Sequence, residues 1–260
     1  GRSSQSKEGT RAMRTVVVGA SSGLGRCIAI GLAKRGATVA LLARRRDRLA
    51  DAAKEAGPDA VAVPCDVTDP SSCREAIAES ASRLGGIDAL VYSTGIGPLR
   101  RLVDIDADTW QRTFETNVTG AALVTAAAIP HLTASGGAAA YLTSVSASLT
   151  PPWPGLAAYT VSKAALDKLV DAWRTEHPAV GFTRVIVGDC AGGEGASMTE
   201  FSAGWDGELA GEMLSQWIAR SYVTGALLEV EELVRVVETV LRCGASASIP
   251  SVAVTPRPRS

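Results

Sequence analysis

The stretch VVVGASSGLGR, residues 16–26, decides the fold of this chain. Its three consecutive valines predict a buried β-strand, because β-branched residues pack well on a pleated surface that is covered on both sides. The apolar spacing of the residues that follow predicts a helix over 24–36. Between strand and helix, Gly19, Gly23 and Gly25 allow a tight turn. The free N–H groups of the helix then face outward, and such a helix start attracts phosphate.

The rest of the chain repeats this alternation of strand and helix. Strands are predicted at 15–20, 38–44, 60–66, 87–93, 138–144, 181–189 and 251–255. Helices are predicted at 24–36, 45–57, 70–84, 107–134, 157–176 and 229–242. Strands separated by helices of this length form βαβ units with right-handed crossovers. We therefore predict an α/β fold of the Rossmann type: a doubly wound, mainly parallel seven-stranded sheet with helices on both faces.

The chain is predicted to form a single domain over 13–260, because no linker rich in Pro, Ser or charge divides it. Residues 1–12 are polar and precede the first Met, so we expect a disordered leader or a tag remnant there. The segment 190–228 fits neither the helical nor the strand period and carries Trp205 and Trp217. We expect this segment to form a lid over a substrate.

Composition excludes several classes of function. Of the 260 residues, 46% are hydrophobic and 20% charged, and the formal net charge is −1. We therefore expect neither a nucleic-acid partner nor a membrane surface. Five Cys without a CxxC pair and only two His predict reduced thiols, no metal site and a cytoplasmic location. The apolar run near 121–130 is shorter than the about 20 residues that span a bilayer.

The glycine turn in this setting predicts a dinucleotide site, and the end of the second strand indicates which dinucleotide. About 20 residues past such a turn, an acid would hold the ribose 2′-hydroxyl of NAD(H), whereas Arg accommodates the 2′-phosphate of NADP(H). Here LLARRR supplies Arg44, Arg45 and Arg46, with no acid before Asp47. We expect NADP(H) on Arg44, with NAD(H) less favoured, and solvated positions for Arg45 and Arg46. Asp66, after the third strand, either accepts from the adenine amino group or serves as a turn residue.

The stretch YTVSK places Tyr159 and Lys163 on one face of a predicted helix, because residues i and i+4 are neighbours there. An ammonium beside a phenol favours the phenolate. We therefore expect Lys163 to lower the pKa of Tyr159 from about 10 toward neutrality, which suits a general acid/base. Ser144 ends the fifth strand in YLTSVSAS and could donate to the same substrate oxygen. Taken alone, the pair also fits a packing Tyr and a Lys that reaches solvent.

Taken in order, these motifs resemble the short single-domain branch of the short-chain dehydrogenase/reductase family, from about Arg14 to the C-terminus. The matching motifs are GASSGLG, Asp66-Val67, the Asn of ETNVTG, the Ser of LTSVSAS and the YxxSK pair. The resemblance implies that Tyr159 moves the proton, while Lys163 tunes Tyr159 and binds the nicotinamide ribose. It also implies that Ser144 polarises the carbonyl and that Asn117 holds a water in a proton relay.

The resemblance also implies cofactor and substrate contacts. The implied cofactor-binding residues are Gly19, Ser21, Ser22, Gly23, Leu24, Gly25, Arg44, Asp66, Val67, Gly95, Tyr159 and Lys163. A substrate pocket is predicted at Ile96, Ser146 and Trp153. No cation is placed to take an acidic substrate, so we expect a small hydrophobic or cyclic carbonyl or alcohol. Family members commonly form dimers or tetramers through two long helices, here 107–134 and 157–176.

The chain departs from the family pattern at three places. Val18 stands where Thr is usual, and Tyr92-Ser93-Thr94-Gly95 replaces Asn-Asn-Ala-Gly after the fourth strand. Cys190-Ala191-Gly192 replaces the Pro-Gly after the sixth strand, which predicts a looser entry to the lid. The departures leave two alternatives open. One is a catalytically silent NADP(H)-binding sensor or scaffold, and the other is an epimerase or dehydratase acting on nucleotide sugars.

Overall fold

A computed structural model describes residues 11–257 of the chain. The strands of its sheet are β1 (Arg14–Val18), β2 (Thr38–Ala43), β3 (Val61–Pro64), β4 (Ala89–Tyr92), β5 (Ala138–Ser144), β6 (Gly181–Val187) and β7 (Ser251–Val254). β2 to β7 fall within the runs predicted from the sequence, and β1 begins one residue before its predicted run at 15–20. The predicted leader, 1–12, lies outside the described residues except for its last two positions.

The strands are ordered β3-β2-β1-β4-β5-β6-β7, and every neighbouring pair in the sheet is parallel. The sheet that was predicted to be mainly parallel is thus parallel throughout its described strands. The strand order reverses at β1, which pairs with β2 on one side and with β4 on the other. At such a point the crossovers leave in opposite directions and open a crevice at the carboxyl ends of the strands. The predicted doubly wound α/β fold is confirmed.

Helices cover both faces of the sheet. They are α1 (Gly23–Lys34), α2 (Arg46–Ala56), α3 (Pro70–Leu84), α4 (Ala107–Phe114), α5 (Gly120–Ser135), α6 (Val145–Ser148), α7 (Ala157–Glu176), α8 (Gly207–Ala219) and α9 (Val230–Leu241). On one face, Ile28 of α1 and Val237 of α9 belong to one apolar cluster. On the other face, Ile77 of α3 and Leu166 of α7 belong to a second cluster. The strands are therefore apolar on both sides, as a sheet buried on both faces requires.

The helix predicted over 107–134 is interrupted. A π-helical turn, Glu115–Thr119, separates α4 from α5. The Tyr92 hydroxyl donates a hydrogen bond to the carbonyl oxygen of Thr116, inside this turn, at 2.6 Å. The turn contains Asn117, which is fully buried. Single π-turns within helices occur frequently at functional sites, so this interruption marks Asn117 independently of any motif.

The helical stretch Ala107–Ser135 is long and apolar enough to cross a membrane by length and composition alone. The expectation that the apolar run is too short is therefore wrong, because the helix continues through the π-turn. Ala121, Val124 and Ala128 of this stretch are fully buried in the second core cluster. Of the most apolar 18-residue window in this stretch, 33% is buried, so packing in the core accounts for part of the apolar sequence.

The segment 190–228, predicted to be irregular, contains the regular helix α8. This helix buries Met213 and Trp217, whose spacing puts both side chains on one face. They belong with Trp153 and Leu156 to a third apolar cluster. The helical pattern is weak in the sequence because the helix carries two glycines, which lower helix propensity. The prediction of an irregular segment is wrong for this helix.

Candidate active site

The glycine turn between β1 and α1 has no room for a side chain at two positions. Gly19 has φ +85°, and a Cβ there would lie 2.6 Å from Thr94 Oγ1. A Cβ on Gly25 would lie 2.1 Å from the carbonyl oxygen of Gly19. Ser22, the N-cap of α1, makes no side-chain capping hydrogen bond. The N–H groups that open α1 are therefore not taken up by that side chain, and the turn fits a pyrophosphate.

A cleft of about 830 Å³ runs from this turn along the carboxyl ends of the strands. The predicted site residues that line it are Gly19, Ser21, Ser22, Gly23, Leu24, Gly25, Arg44, Asp66, Val67, Gly95, Ile96, Ser144, Ser146, Trp153, Tyr159 and Lys163. Asn117 is the one predicted residue that lies behind the wall of the cleft. Apart from Asn117, the structure thus brings the predicted cofactor, catalytic and substrate residues together in one cleft, whose volume is typical of small-molecule and cofactor sites.

A chain of hydroxyl groups holds Ser144 at the end of β5. Ser144 Oγ shares a hydrogen bond with Ser146 Oγ at 2.9 Å and accepts another from the Ser146 N–H at 3.2 Å. Thr160 Oγ1 in turn donates to Ser146 Oγ at 3.2 Å. The Tyr159 hydroxyl neighbours Ser144 from the side of α7. Both side chains line the cleft, so a substrate oxygen between them could accept from either hydroxyl group, as stabilisation of a developing oxyanion requires.

Lys163 is buried on the same side of α7 as Tyr159. Its Nζ donates to the carbonyl oxygen of Leu142 at 2.9 Å and lies 5.7 Å from the centroid of the Tyr159 ring. Gly95 leaves space for this ammonium, because a Cβ there would lie 3.2 Å from Nζ. The alternative that Lys163 reaches solvent is therefore wrong, because its side chain is buried beside Tyr159.

The pKa values of this pair differ from the sequence-based expectation. Burial raises the pKa of Tyr159 to about 12, and the Ser144 hydroxyl opposes the rise only in part. Burial also lowers the pKa of Lys163 to about 8, against the opposing charge of Asp167. The predicted fall of the Tyr159 pKa toward neutrality is therefore wrong for the protein alone. Desolvation of the phenolate outweighs the attraction of an ammonium that is itself close to losing its proton.

The side chain of Asn117 joins the loop after β4 to α7. Its Oδ1 accepts from the N–H of Ile96 at 2.8 Å, and its Nδ2 donates to the Ile96 carbonyl at 2.8 Å. Nδ2 also donates to Ser162 Oγ at 2.9 Å, next to Lys163. These contacts occupy the amide with protein partners. The implied role of Asn117 as a water ligand stays a prediction, and the role the structure supports is positioning.

At the other end of the cleft, the three arginines after β2 differ in their surroundings. Arg44 is exposed and lines the cleft, and its contact with a 2′-phosphate stays a prediction. Arg45 also lines the cleft, and its Nη2 donates to Ser21 Oγ at 3.2 Å and to Ser22 Oγ at 3.0 Å. The expectation that Arg45 is merely a solvated residue at a helix start is wrong. Its guanidinium turns back toward the glycine turn because two hydroxyl groups there accept from it.

Asp66 takes the turn role, one of the two roles that the sequence left open. Its Oδ1 accepts from the N–H of Thr68 at 2.9 Å and from Thr68 Oγ1 at 2.8 Å, which closes a turn. These two hydrogen bonds, and the charge of Arg44 to a smaller extent, lower the pKa of Asp66. Asp66 also lines the cleft at the end where an adenine would lie. Its contact with adenine stays a prediction.

An aromatic cover closes the substrate end of the cleft, and the sequence did not single out its central member. Phe201 lies edge-on to Tyr159 with ring centroids 4.9 Å apart. A Cβ on Gly97 would lie 2.1 Å from the Phe201 ring, so the two are in close contact. Trp205 Nε1 donates to the carbonyl of Gly97 at 2.8 Å. Trp153 forms the side of the same cover, buried against α8, which agrees with its predicted place in the pocket.

One departure from the family pattern, the segment 92–95, makes its own contacts with the glycine turn. The Ser93 hydroxyl donates to the carbonyl oxygen of Val18, so it ties the loop after β4 to the end of β1. Thr94 packs directly over Gly19. The chain that replaces the usual Asn-Asn-Ala-Gly thus still supports the glycine turn, through different side chains.

Comparison with known proteins agrees with this geometry. The family model described as "short chain dehydrogenase" matches residues 14–201. The chain therefore belongs to the short-chain dehydrogenase family, whose members are oxidoreductases that act on alcohols and carbonyls with a nicotinamide cofactor.

Two curated relatives and two solved structures illustrate the likeness. The chain is 35% identical to 11-beta-hydroxysteroid dehydrogenase A of Sesamum indicum, over 66% of this chain and 51% of that protein. It is 36% identical to 11-beta-hydroxysteroid dehydrogenase 1A of Arabidopsis thaliana, over 62% of this chain and 47% of that protein. The chain thus spans about half the length of these relatives.

Among solved structures, a short-chain type dehydrogenase/reductase from Mycobacterium marinum superposes with TM-score 0.79 at 27% identity, covering 94% of each chain. An alcohol dehydrogenase from Thermococcus sibiricus, complexed with 5-hydroxy-NADP, superposes with TM-score 0.79 at 24% identity. It covers 96% of this chain and 100% of that one, and at this identity the likeness is one of fold.

Proposed function

We propose that this chain is an NADP(H)-dependent oxidoreductase that interconverts a carbonyl and a secondary alcohol on a hydrophobic or cyclic molecule. The observation that carries the proposal is the meeting of Tyr159 and Ser144 at one end of a cleft whose other end is the glycine turn. A ligand that binds its pyrophosphate at the turn has its far end beside these two hydroxyl groups. The family of the chain and its dehydrogenase relatives support the same reaction class.

The residues divide the chemistry between them. A bound nicotinamide supplies or takes up the hydride. Ser144 donates a hydrogen bond to the substrate oxygen, held in place by Ser146, and Tyr159 gives the proton to that oxygen in reduction or removes it in oxidation. The buried charge of Lys163 stabilises the tyrosinate that reduction leaves behind. Asn117 positions α7 through Ser162.

The preference for NADP(H) over NAD(H) rests on the residues after β2. A carboxylate at that strand end would repel a 2′-phosphate, and this chain has Arg44 and Arg45 at the cleft instead. Ser21 and Ser22 add two hydroxyl groups within reach of Arg45. This set of donors suits a dianion better than a ribose hydroxyl.

The substrate end favours an apolar ligand. Its lining is aromatic and aliphatic, and consists of Phe201, Trp205, Trp153, Ile96 and Pro98. The two curated relatives are named as hydroxysteroid dehydrogenases, which is consistent with a flat polycyclic alcohol or ketone here. We propose a substrate of this hydrophobic, cyclic class.

A cytoplasmic location and a homodimer or homotetramer complete the proposal. Val161 of α7 is 46% exposed, and Ala126 and Pro130 of α5 are also exposed. An apolar outer face on these helices suits a second copy of the chain.

The deciding experiment follows NADPH consumption with a panel of cyclic and aliphatic ketones. We expect turnover that is faster with the cyclic, hydrophobic members and faster with NADPH than with NADH. A protein that binds NADPH but is inert to every carbonyl and alcohol would instead be a sensor or scaffold. The contact of Phe201 with Tyr159 favours this alternative, because the Phe201 ring packs edge-on to the ring of the proposed catalytic tyrosine.

A further inference from the structure

A carboxylate from the lid segment lies among the cations at the adenosine end of the cleft. Glu200 Oε2 is 2.6 Å from Arg45 Nη1, and Glu200 Oε1 pairs with Arg48 Nη1. The same Arg45 donates through its other terminal nitrogen to Ser21 and Ser22. Two guanidinium groups thus pair with one internal anion, and two hydroxyl groups accept from the other terminal nitrogen of Arg45.

This set of groups resembles a phosphate site that is filled by the protein's own carboxylate. Arg forks and hydroxyl donors are the usual ligands of a phosphate dianion. Burial disfavours the charge of Glu200, but hydrogen bonds from Arg48 and Arg45 outweigh it and lower its pKa. The group is therefore an anion at neutral pH, and it takes donors that a 2′-phosphate would otherwise use.

The position of Glu200 in the chain connects the two ends of the cleft. We call residues 199–201 the strap. Thr199 lies over Gly23, where a Cβ would be 3.5 Å from Thr199 Cα. Phe201, the next residue after Glu200, lies against Tyr159. The strap therefore crosses the cleft from the glycine turn to the catalytic tyrosine, with Glu200 as its ionic anchor.

We infer that Glu200 is an internal competitor of the cofactor 2′-phosphate, and that displacing it releases the strap and uncovers Tyr159. The inference rests on the proposed NADP(H) function. A dianion can displace Glu200 because this ion pair is 38% exposed on the carboxylate side and 44% exposed on the Arg45 side, and ion pairs at such exposure are weak. A cofactor without a 2′-phosphate has no group that replaces the carboxylate, so it leaves the anchor in place. Glu200 would then determine cofactor selectivity through the lid.

Two ligands that differ only in the 2′-phosphate test the competition. Adenosine 2′,5′-bisphosphate and adenosine 5′-monophosphate are titrated by calorimetry into the full chain and into its Glu200→Gln variant. We expect Glu200→Gln to bind the bisphosphate about fivefold more tightly and the monophosphate with unchanged affinity. Glu194→Gln is the matched control, because it removes the same charge from an exposed residue of the same segment, and both affinities should stay unchanged.

A second measurement tests the release of the strap. In the wild-type chain, hydrogen exchange at 199–205 should become faster with the bisphosphate and not with the monophosphate. In Glu200→Gln, exchange there should already be fast without a ligand. If hydrogen exchange at 199–205 were equally fast with the bisphosphate and the monophosphate, the proposed coupling between the Glu200 ion pair and the cover on Tyr159 would be overturned.

The outcomes separate this inference from the proposed function. If the wild type prefers the bisphosphate and Glu200→Gln binds it no more tightly, the inference fails while the NADP(H) assignment stands. If no variant distinguishes the two ligands, the assignment fails and the inference fails with it. Weaker bisphosphate binding by Glu200→Gln would show that the carboxylate organises the arginines, and that result overturns the competition too.

Discussion

Lys163 Nζ lies 5.7 Å from the centroid of the Tyr159 ring, while its hydrogen bond goes to the carbonyl of Leu142. The ammonium therefore acts on the phenol through space, from within the protein and not from solvent. Its influence depends on its own charge, which burial weakens by lowering its pKa to about 8. Burial thus shifts the two pKa values in opposite directions: it raises that of Tyr159 and lowers that of Lys163. In both cases it favours the neutral form of the side chain.

Replacing Tyr159 by Phe should abolish turnover and leave NADPH affinity within about twofold. The substitution removes only the hydroxyl that moves the proton, and general acid catalysis is worth about 100- to 10,000-fold. Steady-state kinetics with the best ketone, together with NADPH titration by fluorescence, measures both quantities. Tyr222→Phe, which removes a hydroxyl from the ring stacked on Trp153, serves as the control. Comparable activity in Tyr159→Phe would refute the assignment of the acid.

The pH dependence of reduction should report the charge of Lys163. A lysine is charged below its pKa, so kcat/KM for the ketone should fall as pH rises through about 8. Tyr159, with a pKa of about 12, stays protonated over this range. The negative charge of Asp167 raises the pKa of Lys163. Asp167→Asn removes this charge, so the decrease in kcat/KM should occur at lower pH.

The control for this shift is Asp171→Asn, which changes a partly exposed carboxylate further along α7 that pairs with Arg174. It should leave the pH profile unchanged. A profile without a fall between about pH 7 and 9 would contradict the assigned role of Lys163.

Arg44→Ala should weaken NADPH binding by about tenfold and NADH binding much less. A guanidinium that contacts the 2′-phosphate makes a charge-assisted hydrogen bond that NADH cannot offer. Dissociation constants for both cofactors, at one fixed ionic strength, test this difference. Arg46→Ala, at the exposed start of α2, is the control for general loss of positive charge. Equal losses for the two cofactors would remove Arg44 from the 2′-phosphate site.

Asp88→Asn should destabilise the fold by about 2 kcal/mol at pH 7. Burial raises the pKa of Asp88, but hydrogen bonds from the Arg14 side chain and backbone outweigh it, and the net pKa is lowered. A carboxyl group with a depressed folded-state pKa stabilises above its unfolded value and loses that contribution as pH falls.

Urea unfolding at a series of pH values tests this linkage. The stability gap between wild type and Asp88→Asn should narrow as pH drops below about 4. Asp108→Asn breaks an exposed pair with Arg112 on α4 and should change stability by less than about 1 kcal/mol at any pH. A gap for Asp88→Asn that is independent of pH would show that the effect is one of packing.

Much of the site was predictable because its spacing is local. Gly19 and Gly25 stand a few residues apart between a strand and a helix, and in that context the pattern predicts a tight phosphate-binding turn. The face shared by Tyr159 and Lys163 follows from helix geometry alone. The alternation of apolar runs likewise determined β1 to β7 and the two covered faces, because a sheet of such strands must be buried on both sides.

What the tertiary structure decided depends on contacts between distant parts of the chain. Arg45 turns toward the cleft because the glycine turn and Glu200 lie there, and no local pattern connects these residues. The π-turn at Asn117 goes with packing against β4 and α7, which helix propensity does not encode. The pKa of Tyr159 reverses its expected direction because burial, a property of the whole fold, outweighs the charge of its neighbour in sequence. By itself the sequence determined the fold and which side chains can react; the packed structure decided how they are charged, covered and held.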